Sequence, residues 1–379
     1  MKAVRIGLFT FGIAQQPTEE IGTYAMELAY ALKRTQNPPE VILLSPYPRS
    51  PLKWYRDFPV HYIPSLKRLP AVIWNGPRAL ARASRQIGLD ILHDPCGIAP
   101  FEGSPGPQAR IVTINDTLPF VHPELQSLRM RMVRWTTLRR TRWTSNAVIA
   151  LSRHARTDLV HTLRIPPHRL FVTQMGTHIP TLNQLRTWRE ELPSRLAQLK
   201  IEHAYFLWVG TDAPRKNLER VLMAFARLKQ DHPKINLLLI GAHSRAAWPE
   251  GVRHLGYVDP LERSRLYVGS LGLIFLPLYA SFDIPILEAM AHGAPVIASH
   301  TASMSDVCGQ APLTVDPHSV PAIELAMRRC LNPDVRARLG LEGRLRAMRF
   351  SWDETGRKTL QIYRWALGRQ SQGMEEMLL

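Results

Sequence analysis

Apolar and polar positions alternate regularly along the chain: short, almost entirely apolar runs are separated by longer stretches in which apolar residues recur every three or four positions. The longer stretches are typical of amphipathic helices, as in Leu218, Val221, Leu222, Phe225 and Leu228. The short runs predict buried strands over 4–11, 41–44, 91–93, 110–114, 147–151, 170–173, 204–210, 235–241, 271–276 and 294–299. Strands that alternate with helices predict an α/β fold, and the two series of strands predict two parallel sheets.

The segment between the two series holds polar, charged and turn-forming residues and no clear strand. We therefore predict a first domain over 1–180, a linker over 181–200 and a second domain over 201–351, with a loose tail over 369–379. Ligands of open parallel sheets bind outside the carboxyl ends of the strands. Two such domains that face each other would form the site in the cleft between them.

Composition narrows the possible classes of protein. The 379 residues, 45% apolar and 21% charged, describe a globular protein, and a formal charge of +17 predicts an anionic partner: a nucleoside diphosphate, an acidic lipid surface or a nucleic acid. Three scattered cysteines and the lack of paired histidines predict a reducing, cytoplasmic compartment, no disulfides and no metal site. No apolar run approaches the roughly 20 residues of a spanning helix, so any membrane contact is expected to be peripheral.

Two adjacent cations, Arg215 and Lys216, lie between the strand that ends at Gly210 and a helix that begins near Asn217. The first amides of this helix and the positive end of its dipole favour an anion at the same place. Arginine offers a planar fork and lysine a mobile point charge, which together suit a diphosphate. The alternative is a solvated turn, but the flanking Gly210, Pro214 and Asn217 favour a binding site.

A second junction between a strand and a helix carries a carboxylate. In the segment 282–293, Pro285 begins a predicted helix, Gly293 ends it and Glu288 lies in its first turns. A carboxylate accepts hydrogen bonds from two neighbouring hydroxyls, such as those of a ribose. The alternative is a surface glutamate that the helix dipole favours by only about 0.3–1 kcal/mol.

Taken together, these ordered motifs resemble the retaining glycosyltransferases of family 4, which have the GT-B fold of two Rossmann-like domains facing a cleft. The resemblance is tightest over 204–352. It implies that Arg215 and Lys216 contact the donor's phosphates and act in catalysis, and that Glu288 binds the donor's ribose. It also implies that the last helix, over 352–368, packs back on the first domain.

The resemblance extends to further residues of the donor site. Gly22 matches a loop near the phosphates, and Tyr257 and Val258 match part of the wall around the nucleotide base. The full set of expected donor-binding residues is Gly22, Asn115, Gly210, Arg215, Lys216, Tyr257, Val258, Ser281, Phe282, Asp283, Ile284 and Glu288.

The sequence departs from the family pattern around the donor sugar. Relatives carry a glutamate where this chain has Ala280, and glycines where it has Ser281 and Asp283. We hypothesise that Asp283 supplies the missing sugar contact and acts in catalysis; the competing hypothesis is that only nucleotide binding survives. Relatives often have a histidine at the position of Asn115, which cannot carry a positive charge at any working pH.

The resemblance implies an enzyme that moves a sugar from a nucleoside diphosphate-sugar, with GDP-mannose favoured, to a hydroxyl of a glycan or lipid-linked glycan. It implies retention of the anomeric configuration and no cofactor or metal. One alternative is a catalytically impaired protein that still binds nucleotide-sugars. Another is a basic nucleic-acid-binding protein, but no recognised motif supports this and nucleic acid is not expected as a partner.

The segment 128–143 is basic and amphipathic, with Leu128, Met132, Trp135 and Leu138 at helical spacing among six arginines. One interpretation is a helix that lies on anionic lipid at the inner face of the cell membrane, with its arginines at the headgroups. The other is that the apolar side packs onto the sheet and leaves the arginines in solvent. The sequence leaves both open.

Overall fold

Each half of the chain folds around its own parallel sheet. The computed structural model describes residues 4–14, 20–98, 101, 109–115, 117–125, 128–241, 247–280 and 282–368. The chain divides into two units: unit 1 comprises Met1–Gly176 and Ser351–Leu379, and unit 2 comprises Thr177–Phe350. The first unit is therefore built from both ends of the chain, and the second is inserted between them.

The sheet of unit 1 has seven parallel strands in the order β3-β2-β1-β4-β5-β6-β7. Its strands are β1 (Arg5–Phe9), β2 (Glu40–Ser45), β3 (Val60–Tyr62), β4 (Ile91–Asp94), β5 (Ala109–Ile114), β6 (Ala147–Ala150) and β7 (Leu170–Val172). Its helices are α1 (Glu20–Arg34), α2 (Leu69–Trp74), α3 (Gly76–Ile87), α4 (Leu118–Val121), α5 (Leu128–Thr144), α6 (Arg153–Leu163) and, from the end of the chain, α14 (Trp352–Ala366). The strands are almost entirely apolar because both faces of the sheet are covered.

The last helix, α14, packs against α1 and completes unit 1. A Cβ on Gly356 would lie 2.7 Å from the Cβ of Ala31, so only glycine allows the two helices to approach this closely. A buried polar network also ties α14 to the sheet: His93 on β4 lies 2.6 Å from the hydroxyl of Tyr363 through Nδ1 and 2.9 Å from the hydroxyl of Thr113 through Nε2. Burial lowers the pKa of His93 to about 3, so the ring is neutral at physiological pH.

The sheet of unit 2 has six parallel strands in the order β10-β9-β8-β11-β12-β13. Its strands are β8 (Tyr205–Val209), β9 (Asn236–Ile240), β10 (Val252–Gly256), β11 (Gly272–Phe275), β12 (Val296–Ser299) and β13 (Leu313–Val315). Its helices are α7 (Leu182–Gln198), α8 (Leu218–Asp231), α9 (Pro260–Gly269), α10 (Ile284–Ala291), α11 (Ala302–Cys308), α12 (Val320–Arg329) and α13 (Pro333–Ala347). Two parallel α/β sheets confirm the predicted fold class.

The predicted linker over 181–200 is wrong, because this segment forms α7, a helix of unit 2. Thr181 begins the helix with a capping box in which its side chain and that of Gln184 each accept a backbone N–H. Only Leu192 of this helix is buried, so the segment reads as polar in sequence. A Cβ on Gly269 would lie 1.9 Å from Leu192, which shows how closely α7 and α9 pack.

Three strands were not predicted from the sequence: β3, β10 and β13. β3 lies at one edge of the unit 1 sheet, and β10 and β13 lie at the two edges of the unit 2 sheet. Their residues are partly exposed, so they lack the continuous apolar run that predicts the central strands. Within the part of the chain that the structure describes, no helix is both long enough and apolar enough to cross a bilayer.

Candidate functional site

A glycine lies at the carboxyl end of each of three adjacent strands of unit 2, β8, β9 and β10. Gly210 follows β8 and donates its N–H to Ile240 at 2.9 Å, and Gly241 follows β9 and donates to Gly256 at 2.9 Å. Gly241 has a φ of 125°, and a Cβ there would lie 1.9 Å from the carbonyl oxygen of Gly210. Only glycine allows the two loops to approach this closely.

The two predicted phosphate cations lie at the same edge, in a short turn over Pro214–Lys216. Asn217 follows with a φ of 61° and begins α8, and its side chain donates to the carbonyl of Pro317 at 2.7 Å. The backbone of Arg215 accepts from the N–H of Leu278 at 2.8 Å, which joins this turn to the loop after β11. The turn is therefore fixed on both sides.

Arg215 and Lys216 have different surroundings. The Arg215 side chain is half-buried, and its guanidinium makes no hydrogen bond or ion pair with any residue that the structure describes. The Lys216 side chain is buried, and its ammonium donates to Asp283 Oδ1 at 2.6 Å and lies 4.8 Å from the ring centroid of Phe275. The donors of Arg215 are therefore not used by any described residue, whereas Lys216 has a carboxylate partner.

Asp283 brings the two predicted motifs together, 67 residues apart in sequence. It is 2% exposed and precedes α10, but its side chain makes no capping hydrogen bond. Its second oxygen, Oδ2, is buried and has no hydrogen-bond partner among the described residues. A buried carboxylate oxygen without a donor is costly, and this one is available to a hydroxyl of a bound ligand.

Glu288 is held by two residues of α9. Arg263 donates to Oε1 at 2.7 Å and the hydroxyl of Tyr267 donates to Oε2 at 3.2 Å. Burial raises the pKa of Glu288, although the charge of Arg263 opposes this. Arg263 and Tyr267 were missed in the sequence; their spacing of four residues on one helix was the only signal.

His292 lies behind Glu288 at the end of α10. Its ring stacks on Trp188 at 5.5 Å between centroids and contacts Tyr267 at the same distance, while Nδ1 donates to the carbonyl of Glu288 at 2.6 Å. Burial lowers the pKa of His292 to about 4. The ring is therefore neutral at physiological pH and serves to pack α10 against α7 and α9.

In unit 1, Asn115 follows β5. Its amide donates to the carbonyl of Pro95 at 3.0 Å, and its Oδ1 is buried without a partner among the described residues. The neighbouring loop after β4 turns at Gly97, where φ is 69° and a Cβ would lie 3.2 Å from the carbonyl of Thr113. Gly22 lies in the first turn of α1, beside Ile13.

The remaining predicted donor residues lie in unit 2, except that Ser281 falls outside the described residues. Tyr257 is 64% exposed and Val258 is buried, directly after β10. Phe282 is buried against Phe350, with 6.2 Å between ring centroids, and Ile284 is buried at the start of α10. The two last side chains are used in packing, whereas Tyr257 is open to solvent.

Two family models match the chain at positions that follow its two units. The model described as "Glycosyltransferase Family 4" matches residues 21–179, and the model described as "Glycosyl transferases group 1" matches residues 203–333. The chain belongs to glycosyltransferase family 4. The predicted family is thereby confirmed, and this family 4 protein is an enzyme of the glycosyltransferase class.

Relatives of this transferase include the O-antigen chain mannosyltransferase B of Escherichia coli, which is 26% identical over 307 residues, or 76% of this chain and 77% of that protein. A phosphatidyl-myo-inositol mannosyltransferase of Propionibacterium freudenreichii subsp. shermanii is 31% identical over 169 residues. That match covers 43% of this chain and 44% of the relative, so the chain spans less than half of its length.

Solved structures confirm the GT-B fold. The sucrose-phosphate synthase of Thermosynechococcus elongatus superimposes with a TM-score of 0.76 at 19% identity, over 97% of this chain and all of that one (100%). WaaG, a glycosyltransferase involved in lipopolysaccharide biosynthesis, superimposes with a TM-score of 0.71 at 15% identity, over 94% of this chain and 99% of that one. At these identities the likeness concerns the fold alone.

Proposed function

We propose that this transferase moves a sugar, with mannose favoured, from a nucleoside diphosphate-sugar to a hydroxyl of a glycan or lipid-linked glycan, and that it retains the anomeric configuration. The names of several relatives support mannose: O-antigen chain mannosyltransferase B, an MMP alpha-(1->4)-mannosyltransferase and the serotype-specific mannosyltransferase WbdA. The resemblance to mannosyl-transferring relatives favours GDP as the nucleotide of the donor. A structural neighbour from Anabaena was solved with UDP and glucose. GDP and UDP are therefore the first two bases to test.

The observation that carries the proposal is the group of charges at the carboxyl edge of the unit 2 sheet. Arg215 has no partner among the described residues, and Lys216 is oriented beside it by Asp283. An ammonium has three N–H donors, so Lys216 can donate to Asp283 and still donate to a phosphate. Preorganised cations of this kind stabilise a leaving diphosphate as its negative charge develops.

Asp283 is proposed to bind a hydroxyl of the transferred sugar through Oδ2, its oxygen without a donor. Glu288 is proposed to bind the ribose with the lone pairs that Arg263 and Tyr267 leave free. In the transfer, the bond from the anomeric carbon to the diphosphate oxygen breaks and a bond to the acceptor oxygen forms on the same face. The acceptor's proton passes to the leaving phosphate oxygen, and no metal or cofactor is required.

The first test is thermal unfolding in the presence of GDP, UDP, ADP, dTDP and their sugar conjugates. A ligand at about 100 times its Kd adds about 2.7 kcal/mol, which raises Tm by a few degrees. We expect one base to stabilise the protein, and Arg215→Ala to abolish this effect. Arg227→Ala, an exposed arginine of α8, is the matched control and should not change it. No stabilisation by any nucleotide would refute the donor site.

A second candidate function is nucleotide-sugar binding without transfer. It is favoured by Ala280, which replaces the glutamate of relatives, and by the engagement of Asp283 with Lys216. Donor turnover in the presence of glycan acceptors distinguishes the two. We expect transfer by the native protein and its loss in Asp283→Ala; unchanged transfer in that variant would refute a role for Asp283. The anomeric configuration of the product tests retention.

The proposed location is the cytoplasm, with peripheral attachment to the inner face of the cell membrane. The net charge of +17 supports attachment to an anionic surface.

A further inference from the structure

Helix α5 exposes large apolar side chains and buries polar ones, the opposite of an ordinary amphipathic helix on a sheet. Among the residues of α5 whose side chains the structure describes, the buried ones are Thr137, Leu138 and Thr141, and Ser145 is buried just after the helix. Four large apolar residues of α5 are in solvent instead, with exposures of 69% for Leu128, 67% for Met132, 46% for Trp135 and 66% for Trp143. The interpretation in which these residues pack onto the sheet is therefore wrong, except for Leu138.

The exposed apolar residues share one face of the helix. Leu128, Met132, Trp135, Arg139 and Trp143 are spaced by three or four residues, and we call this set the α5 stripe. Arg139 stacks on the ring of Trp135, with 4.3 Å between the guanidinium carbon and the ring centroid. Arg142, which lies next to the stripe, stacks on the ring of Trp143, also with 4.3 Å between the guanidinium carbon and the ring centroid. Tryptophan and arginine are thus held together at the surface.

Positive charge predominates in the sequence around the stripe. No aspartate or glutamate occurs between Glu124 and Asp158, whereas this part of the sequence contains eight arginines. Arg139, Arg140 and Arg142 form no ion pair with any carboxylate that the structure describes. A surface with this charge is complementary to a dense array of anions.

We propose that the α5 stripe is a docking surface for an anionic lipid bilayer, in which the apolar side chains enter the headgroup region and the arginines bind lipid phosphates. Tryptophan beside arginine, with leucine and methionine on the same face, is the composition of an interfacial helix. A nucleic acid could bind the arginines but offers no apolar region to contact Leu128 and Met132. A second copy of the chain, paired about a two-fold axis, would bring arginine against arginine without a carboxylate.

The experiment measures binding of the full chain to vesicles of phosphatidylcholine, with and without phosphatidylglycerol, by co-sedimentation. We expect binding only to vesicles that contain phosphatidylglycerol, weakened by added salt. Replacing Arg139 and Arg140 by glutamine should weaken binding about fivefold for each arginine, which corresponds to about 1 kcal/mol each. Replacing the four apolar residues of the stripe by glutamine should weaken it by on the order of tenfold or more.

Matched controls distinguish an effect of the stripe from general effects of net charge and of exposed apolar residues. Met223, Leu325, Leu341 and Leu345 are exposed apolar residues of unit 2 with exposures of 58–62%, and their replacement by glutamine should leave vesicle binding unchanged. Arg227→Gln with Arg329→Gln, both exposed, controls for the loss of two charges. All variants replace exposed residues, and nucleotide-induced stabilisation checks that they are folded.

Several results would overturn the proposal. It fails if the native protein does not bind anionic vesicles, or if the stripe variant binds as tightly as the native protein. It also fails if the native protein is a dimer that the stripe variant converts to a monomer, which would assign the stripe to a second copy. Because nucleotide stabilisation is measured on the same variants, loss of vesicle binding and loss of the donor site are distinguishable.

Discussion

The buried contact between Lys216 and Asp283 makes a prediction that runs against intuition: removing the charge of Asp283 should tighten the binding of a free nucleoside diphosphate. In Asp283→Asn the side chain keeps its size and retains an oxygen for the ammonium of Lys216, which now lies 2.6 Å from Oδ1. What the variant loses is the negative charge that a diphosphate would have to approach. The same variant also loses the acceptor at Oδ2.

The magnitude follows from the geometry. A phosphate oxygen bound on the far side of the ammonium would lie about 5 Å from the carboxylate, given ordinary hydrogen-bond lengths. Two unit charges at about 5 Å repel by about 3 kcal/mol at an effective dielectric constant of about 20. Relaxation around Lys216 reduces this, so we expect the Kd for GDP or UDP to fall by about tenfold. Without ligand, the buried ammonium of Lys216 keeps a hydrogen bond but loses its counter-charge, which should lower the free energy of unfolding by about 3 kcal/mol.

Isothermal titration with GDP and UDP and denaturant unfolding without ligand measure both quantities. Asp334→Asn, which removes an exposed carboxylate of α13, is the control for net charge and should change neither. If Asp283→Asn binds the diphosphate no more tightly than the native protein, Asp283 and the phosphate do not share Lys216, and the assignment of Lys216 to the diphosphate is refuted. Sugar transfer should nevertheless fall in this variant, because an amide nitrogen cannot accept the sugar hydroxyl.

Three further perturbations test other parts of the structure. Acid should destabilise the protein through His292: its pKa falls from 6.5 unfolded to about 4 folded, so stability is present above pH 6.5 and is lost toward pH 4. The resulting loss in the free energy of unfolding between pH 7.5 and pH 4.5 is about 2.5 kcal/mol. In urea unfolding, His292→Phe should lose less stability between these two pH values. Gly356→Val should cost about 1–3 kcal/mol in urea unfolding, since its Cβ would meet Ala31 at 2.7 Å; an unchanged midpoint would contradict the packing of α14 on α1. Glu288→Ala leaves Arg263 partly buried without its carboxylate and should lower the free energy of unfolding in urea by about 3 kcal/mol. If the two residues act as a pair, Arg263→Met and the double variant that combines both substitutions should be equally stable.

The central strands of both sheets could be predicted because a parallel strand covered on both faces reads as a continuous apolar run. β8, with all five residues buried, shows this most clearly. The same rule fails where a segment buries little surface: α7 has one buried residue and a proline inside, so its sequence predicts a linker instead of a helix. Local patterns detect the surface that an element buries, so elements with little buried surface are missed.

The site was predicted in its parts but not in its contacts. Each cation and carboxylate lies next to a strand end, which the sequence reveals, whereas the pairing of Lys216 with Asp283 depends on how β8 and β11 lie side by side. The contacts of Glu288 with Arg263 and Tyr267 depend in the same way on the position of α9. For α5, periodicity predicted the helix but could not tell which face the sheet would cover, because the buried threonines are as polar as many surface residues.

The division of unit 1 between the two ends of the chain has a consequence for synthesis on the ribosome. Unit 2 is continuous, so it can fold as soon as residue 350 has emerged, whereas unit 1 must wait for α14. Until then the place of Tyr363 beside His93 is empty, and the polar groups there remain in water. Tyr363 follows His93 by 270 residues in the sequence. The insertion of unit 2 into unit 1 thus makes α14 the element that completes unit 1, and a chain released at residue 350 would contain one finished unit and one unfinished one.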